Sequence, residues 1–446
     1  MHRFSVRFVG LLGLAFALTA CDSLNPMDMF EKKRDEPLPG KRIAVLALDR
    51  GLQPDPSIAG MRVVLSEPYV NDSWTQYGGS PAHAMYHLSL GESPRRIWSS
   101  DVGAGSDDSR QLLAQPLVVN DTVYTMDALS VITAFDTERG RVRWRVDLDP
   151  DDEDDGFFGG GIAFDGGRLY VTTGFARVFA LDAKTGETIW TQQVPTPMRA
   201  APAVAAGRVF VVTLDNQTFA LSADDGRRLW EHSGIQEITS LVGGASPAVS
   251  GSTVVVPYSS GEIVGLLAET GRPLWSDSLA SVARADPLGD LAQIRGAPVV
   301  DRGIVFAISH SGRMVAIDLR QGLRAWEAEV GGIEMPWVGG DFLYVVTNDA
   351  QVICLTRRDG RIRWVQPLPR FKDPEDRTGP IAWSGPVLAG DRLIVAGSDG
   401  EAVSLSPYTG EVLGVIDLPG GITVAPVVAG NTLYFLTGGG SLLAMR

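Results

Sequence analysis

Cysteine and histidine are scarce in this chain of 446 residues, which has two of the former and five of the latter. Two isolated cysteines, Cys21 and Cys354, cannot build a disulfide framework. The HExxH, GxSxG and P-loop patterns are all missing. These are the usual sequence signatures of zinc proteases, α/β-hydrolases and nucleotide hydrolases, so nothing in the sequence indicates these enzyme classes. We therefore expect no catalytic residue, no metal site and no cofactor.

The remaining candidates for metal or thiol chemistry are weak. His83 and His87 are four residues apart, a spacing that suits a metal ion on a helix. Pro81 and the surrounding GGSPAHAMYH sequence indicate a loop instead, so we expect solvent-facing or structural roles for both. Cys354 follows Val352 and Ile353 in an apolar stretch, which is typical of a buried strand and not of a reactive thiol.

Positive charge is also in short supply. Lys and Arg number 39 against 53 Asp and Glu, a net charge of −14, and no basic cluster interrupts the chain. Nucleic acid is therefore excluded as a partner. Helical periodicity is scarce and glycine is spread evenly, which favours a single all-β domain over the several domains that the length alone would suggest.

The first twenty residues have the pattern of a signal peptide. His2, Arg3 and Arg7 precede an apolar run, Phe8–Leu18, that is too short to span a membrane stably. Leu18-Thr19-Ala20-Cys21 is similar to the bacterial lipobox, whose Cys becomes the first mature residue and carries lipid. We predict a signal peptide over 1–20 and lipidation at Cys21; the alternative is an ordinary signal peptide with a Cys nearby.

The chain after Cys21 divides into three further parts. Residues 21–42 are rich in Pro and charge, which predicts a flexible tether. Residues 43–92 are expected to form an N-terminal extension that packs on the main domain. Residues 93–446 hold the repeats.

A short phrase recurs through these repeats: an apolar run, an acidic or polar residue, a tight Gly turn and then a Trp. Its copies are spaced 38 to 51 residues apart, which is typical of one propeller blade per copy. Gly accepts the positive φ of a tight turn, and Trp supplies a large apolar area to cover the next blade. Six copies end at Trp144, Trp190, Trp230, Trp275, Trp326 and Trp364; a seventh has Gly414 in place of Trp, and Trp98 stands upstream without a phrase.

Trp98 and the last repeat explain each other. Pro426–Arg446 supplies three strands and then stops where an outer strand is due, and Arg96–Trp98 provides that strand. Pairing the two chain ends removes the open edges of the ring. The sequence therefore predicts an all-β fold, an eight-bladed β-propeller of four-stranded antiparallel blades whose last blade is closed by an N-terminal strand.

Loops entering two consecutive blades, 234–245 and 279–297, are the candidate interaction site. An apolar patch rimmed by charge is typical of a protein interface, although loops folded back as local packing would give the same composition. The apolar residues expected to be exposed are Ile238, Leu241, Val242, Leu288, Leu291 and Ile294, and the charged ones are Arg284, Asp286, Asp290 and Arg295. A separate acidic run, Asp147–Asp155, lacks the alternation of a calcium loop and is expected to be a solvated loop between blades.

The repeat phrase resembles that of quinoprotein-type propellers. Together with the lipobox, the tether, the WTQYGGSPAH segment from Trp74 and the LGDLAQIRGAPVV segment from Leu288, it resembles the BamB family, lipoproteins of the outer-membrane β-barrel assembly (BAM) machinery. The resemblance implies a monomeric, non-enzymatic scaffold at the periplasmic face of the outer membrane that binds the POTRA domains of BamA and assists β-barrel insertion.

The resemblance also implies site residues. One family loop carries two Leu and a following Arg; the matching positions here are Thr239, Leu241 and Val242, and Arg295 could replace the lost Arg. Acidic residues of the other family loop are matched by Asp286 and Asp290. The partner-binding set is therefore Leu241, Val242, Asp286, Asp290 and Arg295. Asp22 resembles an inner-membrane retention signal of enteric bacteria, but we expect the outer membrane.

Two other functions remain open. Quinone-dependent dehydrogenases use the same eight-bladed fold, but they carry an adjacent Cys pair and an acid-Asn-Asp set around calcium, and this chain has no adjacent Cys pair. Because fold alone does not establish function, the missing site counts against an enzyme. An envelope scaffold for some other partner is the second alternative.

Overall fold

Each copy of the repeat phrase forms the outer half of one blade. The computed structural model describes residues 51–148, 159–237, 239–280 and 291–446. Within them, eight antiparallel four-stranded blades, blades 1 to 8, make a propeller. Blades 1 to 7 each use four strands that are consecutive in the chain, and blade 8 combines three C-terminal strands with one strand that precedes blade 1. The predicted eight-bladed all-β fold is confirmed. The predicted signal peptide, Cys21 and the 21–42 tether lie outside the described residues.

Two strands precede blade 1: β1 (Ser73–Trp74) and β2 (Arg96–Asp101). Blade 1 comprises β3 (Leu117–Val119), β4 (Thr122–Met126), β5 (Val131–Asp136) and β6 (Val142–Asp147). Blade 2 comprises β7 (Gly160–Asp165), β8 (Arg168–Thr173), β9 (Arg177–Asp182) and β10 (Thr188–Gln193). Blade 3 comprises β11 (Ala203–Ala205), β12 (Arg208–Val212), β13 (Gln217–Ser222) and β14 (Arg228–Ser233). Blade 4 comprises β15 (Ala248–Ser250), β16 (Thr253–Pro257), β17 (Glu262–Leu267) and β18 (Pro273–Ser278).

The remaining blades repeat this plan. Blade 5 comprises β19 (Val299–Asp301), β20 (Ile304–Ile308), β21 (Met314–Asp318) and β22 (Arg324–Ala328). Blade 6 comprises β23 (Trp337–Gly339), β24 (Phe342–Val346), β25 (Gln351–Thr356) and β26 (Ile362–Pro367), followed by a hairpin of β27 (Phe371–Asp373) and β28 (Thr378–Pro380). Blade 7 comprises β29 (Trp383–Ala389), β30 (Arg392–Gly397), β31 (Glu401–Leu405) and β32 (Val412–Asp417). Blade 8 comprises β33 (Val427–Ala429), β34 (Thr432–Leu436), β35 (Ser441–Met445) and β2; one 3-10 turn, Pro56–Ile58, is the helical element of the described chain.

Blade 8 is assembled from both ends of the described chain. β2 pairs antiparallel with β35, with Trp98 opposite Ala444. Arg95 and Arg446 exchange backbone hydrogen bonds of 2.8 and 2.9 Å just beyond the strands. The predicted closure of the ring by Arg96–Trp98 is confirmed, and it removes the free edge that an incomplete blade would present.

The repeat Trp joins each blade to the next. Its indole N–H donates to a backbone carbonyl in the Gly turn of the following blade, at 2.7–3.2 Å. The Gly of that turn has φ between +67° and +82°, and an added Cβ would approach the Trp side chain to 2.3–2.7 Å. Glycine is therefore required twice over, by backbone conformation and by close contact. The seven pairs are Trp98–Gly140, Trp144–Gly186, Trp190–Gly226, Trp230–Gly271, Trp275–Gly322, Trp326–Gly360 and Trp364–Gly410.

Blade 7 lacks the repeat Trp because the ring is closed by strands from the two ends of the chain. Gly414 occupies the position of the Trp on β32, where it pairs with Ser404. Its receiving turn would join the third and fourth strands of blade 8, but these strands belong to opposite ends of the chain. With no turn to receive an indole, a Trp here would gain no contact, and a Cβ at Gly414 would meet nothing within 4 Å.

Residues 71–88 make one circuit of the propeller axis. Each successive contact falls on the inner strand of the next blade, starting from blade 8, and most are hydrogen bonds of 2.6–3.1 Å. The pairs are Asn71 with Val428, Trp74 with Val118, Thr75 with Phe164, Gln76 with Val204, Pro81 with Val249, Ala82 with Val300, Tyr86 with Trp337, and Leu88 with Leu388. The chain therefore holds all eight blades from inside.

This circuit defines two faces. Gly390 and Gly430, in the turns between the first two strands of blades 7 and 8, donate to Leu88 and Asn71 at 2.9 and 2.7 Å. The circuit thus lies at the end of the inner strands that carries these turns and the Gly turns of the repeat, which we call the turn face. The loops that enter the blades lie on the opposite, loop face.

Candidate partner-binding surface

The two candidate loops are joined to each other on the loop face. The backbone N–H of Leu241 donates to Oε1 of Gln293 at 2.5 Å, and Nε2 of Gln293 donates to the carbonyl of Gly243 at 3.3 Å. Nε of Arg295 donates to the carbonyl of Val242 at 3.0 Å. Three hydrogen bonds across the gap fix the first loop against the second, so the surface between blades 4 and 5 is one unit.

Gln293 is the residue that sequence reasoning missed. Its side chain is buried and supplies both a donor and an acceptor to the neighbouring loop. A glutamine between Ala292 and Ile294 carries no local pattern, because its partners are backbone groups some fifty residues earlier in the chain. Nothing short of the tertiary arrangement identifies it.

The start of the first loop is held by polar groups from two blades. Asn216 Nδ2 donates to the carbonyl of Ile235 at 2.6 Å, and the Ile235 N–H donates to Glu262 Oε2 at 2.7 Å. The backbone is therefore fixed while the side chain points away: Ile235 is 60% exposed and Val242 38%. Fixed backbone with exposed apolar side chains is the arrangement of a preorganised contact surface.

Arg295 is anchored inside the protein. Its Nη1 lies 3.1 Å from Glu334 Oε1, and the Arg295 and Glu334 side chains are only 20% and 9% exposed. Glu334 Oε2 also accepts the N–H of Gly385 at 3.2 Å. Burial raises the pKa of Glu334, while Arg295 and the Gly385 N–H act in the opposite direction. Arg295 thus connects the loop at Val242 to the propeller axis.

One expectation about this surface was wrong. Ile294 was expected to be exposed but is 1% exposed and packs in a cluster with Trp275 and Leu279. Its N–H donates to the carbonyl of Tyr258 at 3.4 Å, because the second loop turns inward before it enters blade 5. Leu241 and Leu291 are partly exposed. Ile238, Arg284, Asp286, Leu288 and Asp290 lie outside the described residues.

The histidines and Cys354 have structural surroundings. His83 and His87 are both 2% exposed, and the Nδ1 of each contacts a backbone carbonyl, of Pro298 and Ser66 respectively, at 2.7 Å. The expected structural role is correct and the solvent-facing one is wrong. Cys354 is fully buried on β25, as predicted, and burial raises the pKa of its thiol. Within the described ranges no group of three or more His, Cys, Asp or Glu is placed to hold a metal ion.

The propeller axis is filled by side chains. Trp74 from the circuit stacks on Trp337 of blade 6, with ring centroids 6.3 Å apart. A cavity of about 10 Å³ remains beside this pair and Glu334, and one of about 30 Å³ lies between Tyr77, Arg199 and Arg295. Each has about the space of a water molecule, far less than a fused-ring cofactor needs. The residues that surround the axis therefore do not fit a quinone.

No helix among the described residues is both long and apolar enough to cross a bilayer.

The fold and repeat place the chain in the class of quinoprotein-type repeat propellers. Its structure resembles quinohaemoprotein alcohol dehydrogenase from Comamonas testosteroni with a TM-score of 0.65 and 16% identity, covering 88% of this chain and 82% of that one. It also resembles BamB from Moraxella catarrhalis with a TM-score of 0.67 and 21% identity, covering 79% of this chain and 100% of that one. At these identities the likeness concerns the fold alone.

Sequence decides between them. A family model described as outer membrane protein assembly factor BamB matches residues 128–366 and 372–446. Outer membrane protein assembly factor BamB of Salmonella typhimurium is 32% identical over 308 residues, covering 67% of this chain and 76% of that protein. The chain belongs to the BamB family of outer membrane protein assembly factors.

Proposed function

We propose that this chain is a non-enzymatic scaffold subunit of the outer-membrane β-barrel assembly machinery, lipid-anchored through Cys21 at the periplasmic face of the outer membrane. In this role it binds the periplasmic POTRA domains of BamA and assists insertion of β-barrel proteins. Family membership supports the assembly role. The observation that carries the binding role is the joined pair of loops on the loop face, which fixes the backbone and exposes Ile235 and Val242.

The five proposed contact residues have different parts in this surface. Val242 offers exposed apolar area, and Leu241 offers a partly exposed side chain on a backbone fixed by Gln293. Arg295 acts as a positioning residue, because its guanidinium holds the Val242 carbonyl and the Glu334 carboxylate. Asp286 and Asp290 are proposed from the family resemblance and would add negative charge to the rim.

A dehydrogenase is not favoured by the surroundings of the axis. The axis holds Trp74, Trp337 and the Arg295–Glu334 pair, and the cavities of about 10 and 30 Å³ beside them are too small for a fused-ring cofactor. The likeness to an alcohol dehydrogenase extends to the fold, and a fold hosts many functions. A scaffold for a different envelope protein remains a second outcome of the binding experiment.

Site-specific photocrosslinking in living cells tests the proposed partner. A photoreactive residue at Val242 or Ile235 should capture BamA, and the same residue at Leu323 should not. Leu323 is the matched control, because it is 64% exposed but follows the Gly turn of blade 5 on the turn face. Capture of a different protein from Val242, or equal capture of BamA from Leu323, would contradict the proposal.

Two further measurements test the proposed roles of Asp290 and Cys21. Asp290→Lys should reduce BamA capture from Val242 while leaving the melting temperature unchanged, and a lowered melting temperature would instead give Asp290 a structural role. Cys21→Ser should release the protein from the membrane fraction and remove the lipid mass from its N-terminal peptide. Retention of both would rule out lipidation at Cys21.

A further inference from the structure

A cavity of about 540 Å³ opens between blades 5 and 6 on the turn face. This volume is within the range of ligand sites in proteins. Its apolar wall is formed by Met61, Ile304, Ala316, Ala325 and Trp326. Its polar rim is formed by Arg302, Asp341, Thr356, Arg357, Arg358, Asp359 and Arg361.

The rim has one arginine that is not neutralised. Arg357 pairs with the buried Asp301 and lies over the Phe306 ring at 5.5 Å. Arg361 pairs with Asp359 at 2.8 Å. Arg358 is exposed and has no acidic partner in the part of the chain that the structure describes.

Arg302 adds a second accessible guanidinium. It is 63% exposed and lies 3.9 Å from Asp301 and 3.8 Å from Asp341, both too far for a direct hydrogen bond. The cavity thus presents positive charge in a protein whose net charge is −14. Guanidinium groups bind phosphate oxygens well, since their planar donors match two acceptors at once. A ligand with an apolar body and an anionic phosphate fits both parts.

The extension places the start of the described chain beside this cavity. Asp55 N–H donates to the carbonyl of Ile362 on the outer strand of blade 6 at 2.8 Å. Arg361 Nη1 donates to Ser57 Oγ at 3.1 Å, and Arg363 Nε donates to the Met61 carbonyl at 2.8 Å. Gly51 is therefore a few residues from the cavity, and Cys21 is 30 positions earlier. The segment that lines the cavity is thus the one that leads along the chain to the proposed lipid anchor.

We propose that this cavity binds an anionic phospholipid of the membrane surface, with its phosphate on Arg358 and Arg302 and its upper acyl segments against Trp326, Ile304 and Met61. The site rests on the proposed lipid anchor, which brings the membrane to the turn face.

A groove between blades 2 and 3 serves as an internal control. It has a similar volume of about 520 Å³ and also carries two arginines, Arg227 and Arg228. Both have acidic neighbours, Asp225 at 4.0 Å and Glu231 at 2.8 Å. Its lining includes Gln192 and Gln193, so it offers less apolar wall, while Arg227 is held about as loosely as Arg302 in the first cavity.

Vesicle flotation tests the proposal with the chain from Asp22 to Arg446, which lacks both the predicted signal peptide and the proposed lipid anchor at Cys21. The protein should float with vesicles of phosphatidylethanolamine and phosphatidylglycerol and much less with phosphatidylethanolamine alone. Arg358→Glu should reduce the partition coefficient by about fivefold or more, and Met61→Asp should reduce it further. Arg227→Glu should leave it unchanged. Circular dichroism spectra and melting temperatures of all variants should match those of the parent.

Several results would overturn the proposal. Equal flotation with both vesicles, or an equal effect of Arg227→Glu and Arg358→Glu, would show that the cavity is not the site. Complete displacement by millimolar inorganic phosphate would make it a simple anion site, and displacement by an acidic peptide would make it a protein site. BamA capture from Val242 reports separately on the proposed function, since Arg358→Glu should not change it.

Discussion

Replacing Trp230 by Phe should destabilise the propeller more than replacing Trp190 by Phe. The two sites are closely matched: each Trp is 9% exposed, each lies 2.6 Å from the ideal Cβ of the next glycine, and their aromatic neighbours are at 5.8 and 6.0 Å. The loss of ring volume is therefore similar in both variants. What differs is the carbonyl that each indole N–H reaches.

The Ala223 carbonyl has other donors. Besides Trp190 Nε1 at 3.1 Å, it accepts from Arg168 Nη1 at 2.8 Å and from the Tyr170 hydroxyl at 3.2 Å. The Ala268 carbonyl accepts from Trp230 Nε1 at 3.0 Å and from no other described group. Trp230→Phe thus leaves a buried acceptor without a partner, which adds about 1–3 kcal/mol, whereas Trp190→Phe does not.

Urea unfolding followed by far-ultraviolet circular dichroism would measure the difference in the free energy of unfolding. The neighbouring ring provides a rescue, because blade 3 has Phe210 where blade 2 has Tyr170. Adding Phe210→Tyr to Trp230→Phe should recover at least half of the extra loss, since the new hydroxyl can donate to Ala268. Equal destabilisation by the two single variants, or a double variant no more stable than Trp230→Phe, would refute the reasoning.

Three other predictions concern closure, charge and pH. Gly414→Trp should change the free energy of unfolding by less than about 0.5 kcal/mol, whereas Trp364→Gly should cost about 3 kcal/mol or more; equal effects in a urea titration would contradict the closure argument. Arg295→Ala should cost about 3 kcal/mol or more at neutral pH by leaving the buried Glu334 carboxylate without its guanidinium partner, and adding Glu334→Gln should recover most of this loss. Burial lowers the pKa of His83 from 6.5 to about 4. Between these two pH values the unfolded state binds a proton at His83 and the folded state does not. The free energy of unfolding should therefore fall by up to about 1.4 kcal/mol per pH unit as the pH drops from 6.5 toward 4. His83→Asn, which keeps a donor and tolerates positive φ, should flatten that dependence in urea titrations at pH 7 and pH 5; an unchanged slope would assign it to other groups.

The propeller was predictable because its determinants are local. The Gly turn and the Trp that follows it lie within one phrase, and the contact between blades repeats once per phrase. The closure of the ring was predictable for the same reason. Trp98 has no repeat phrase before it, and the last repeat has no fourth strand, so the strand that carries Trp98 was expected to complete that repeat. The structure also explains why Gly414 replaces the Trp of the seventh copy. The third and fourth strands of blade 8, β35 and β2, are not joined by a turn that could receive an indole.

The circuit of the extension and the inner structure of the loops were not predictable in the same way. Asn71 and Gln76 bind backbone groups far along the chain, at Val428 and Val204, and a backbone partner leaves no sequence signal. Ile294 was misplaced for a related reason: composition marks a loop as apolar and charged but does not say which apolar residue turns inward. Arg295 was predicted to lie at the rim of the surface. Its contact with the buried Glu334, 39 residues later in the chain, could not be predicted from the sequence.

The circuit of residues 71–88 makes the two faces of the propeller different. Asn71 to Leu88 occupy the turn-face end of the inner strands, so that end of the axis is committed to intramolecular hydrogen bonds. Near the loop-face end, Tyr77 of the extension lies beside Arg199 and Arg295, and there the loops between blades 3 and 4 and between blades 4 and 5 join through Gln293. Because Arg295 ties these loops to Glu334 at the axis, a partner bound at Val242 would press on a rigid support rather than on a mobile loop. Binding there should therefore cost little ordering entropy, which is the property required of a scaffold that positions a larger assembly.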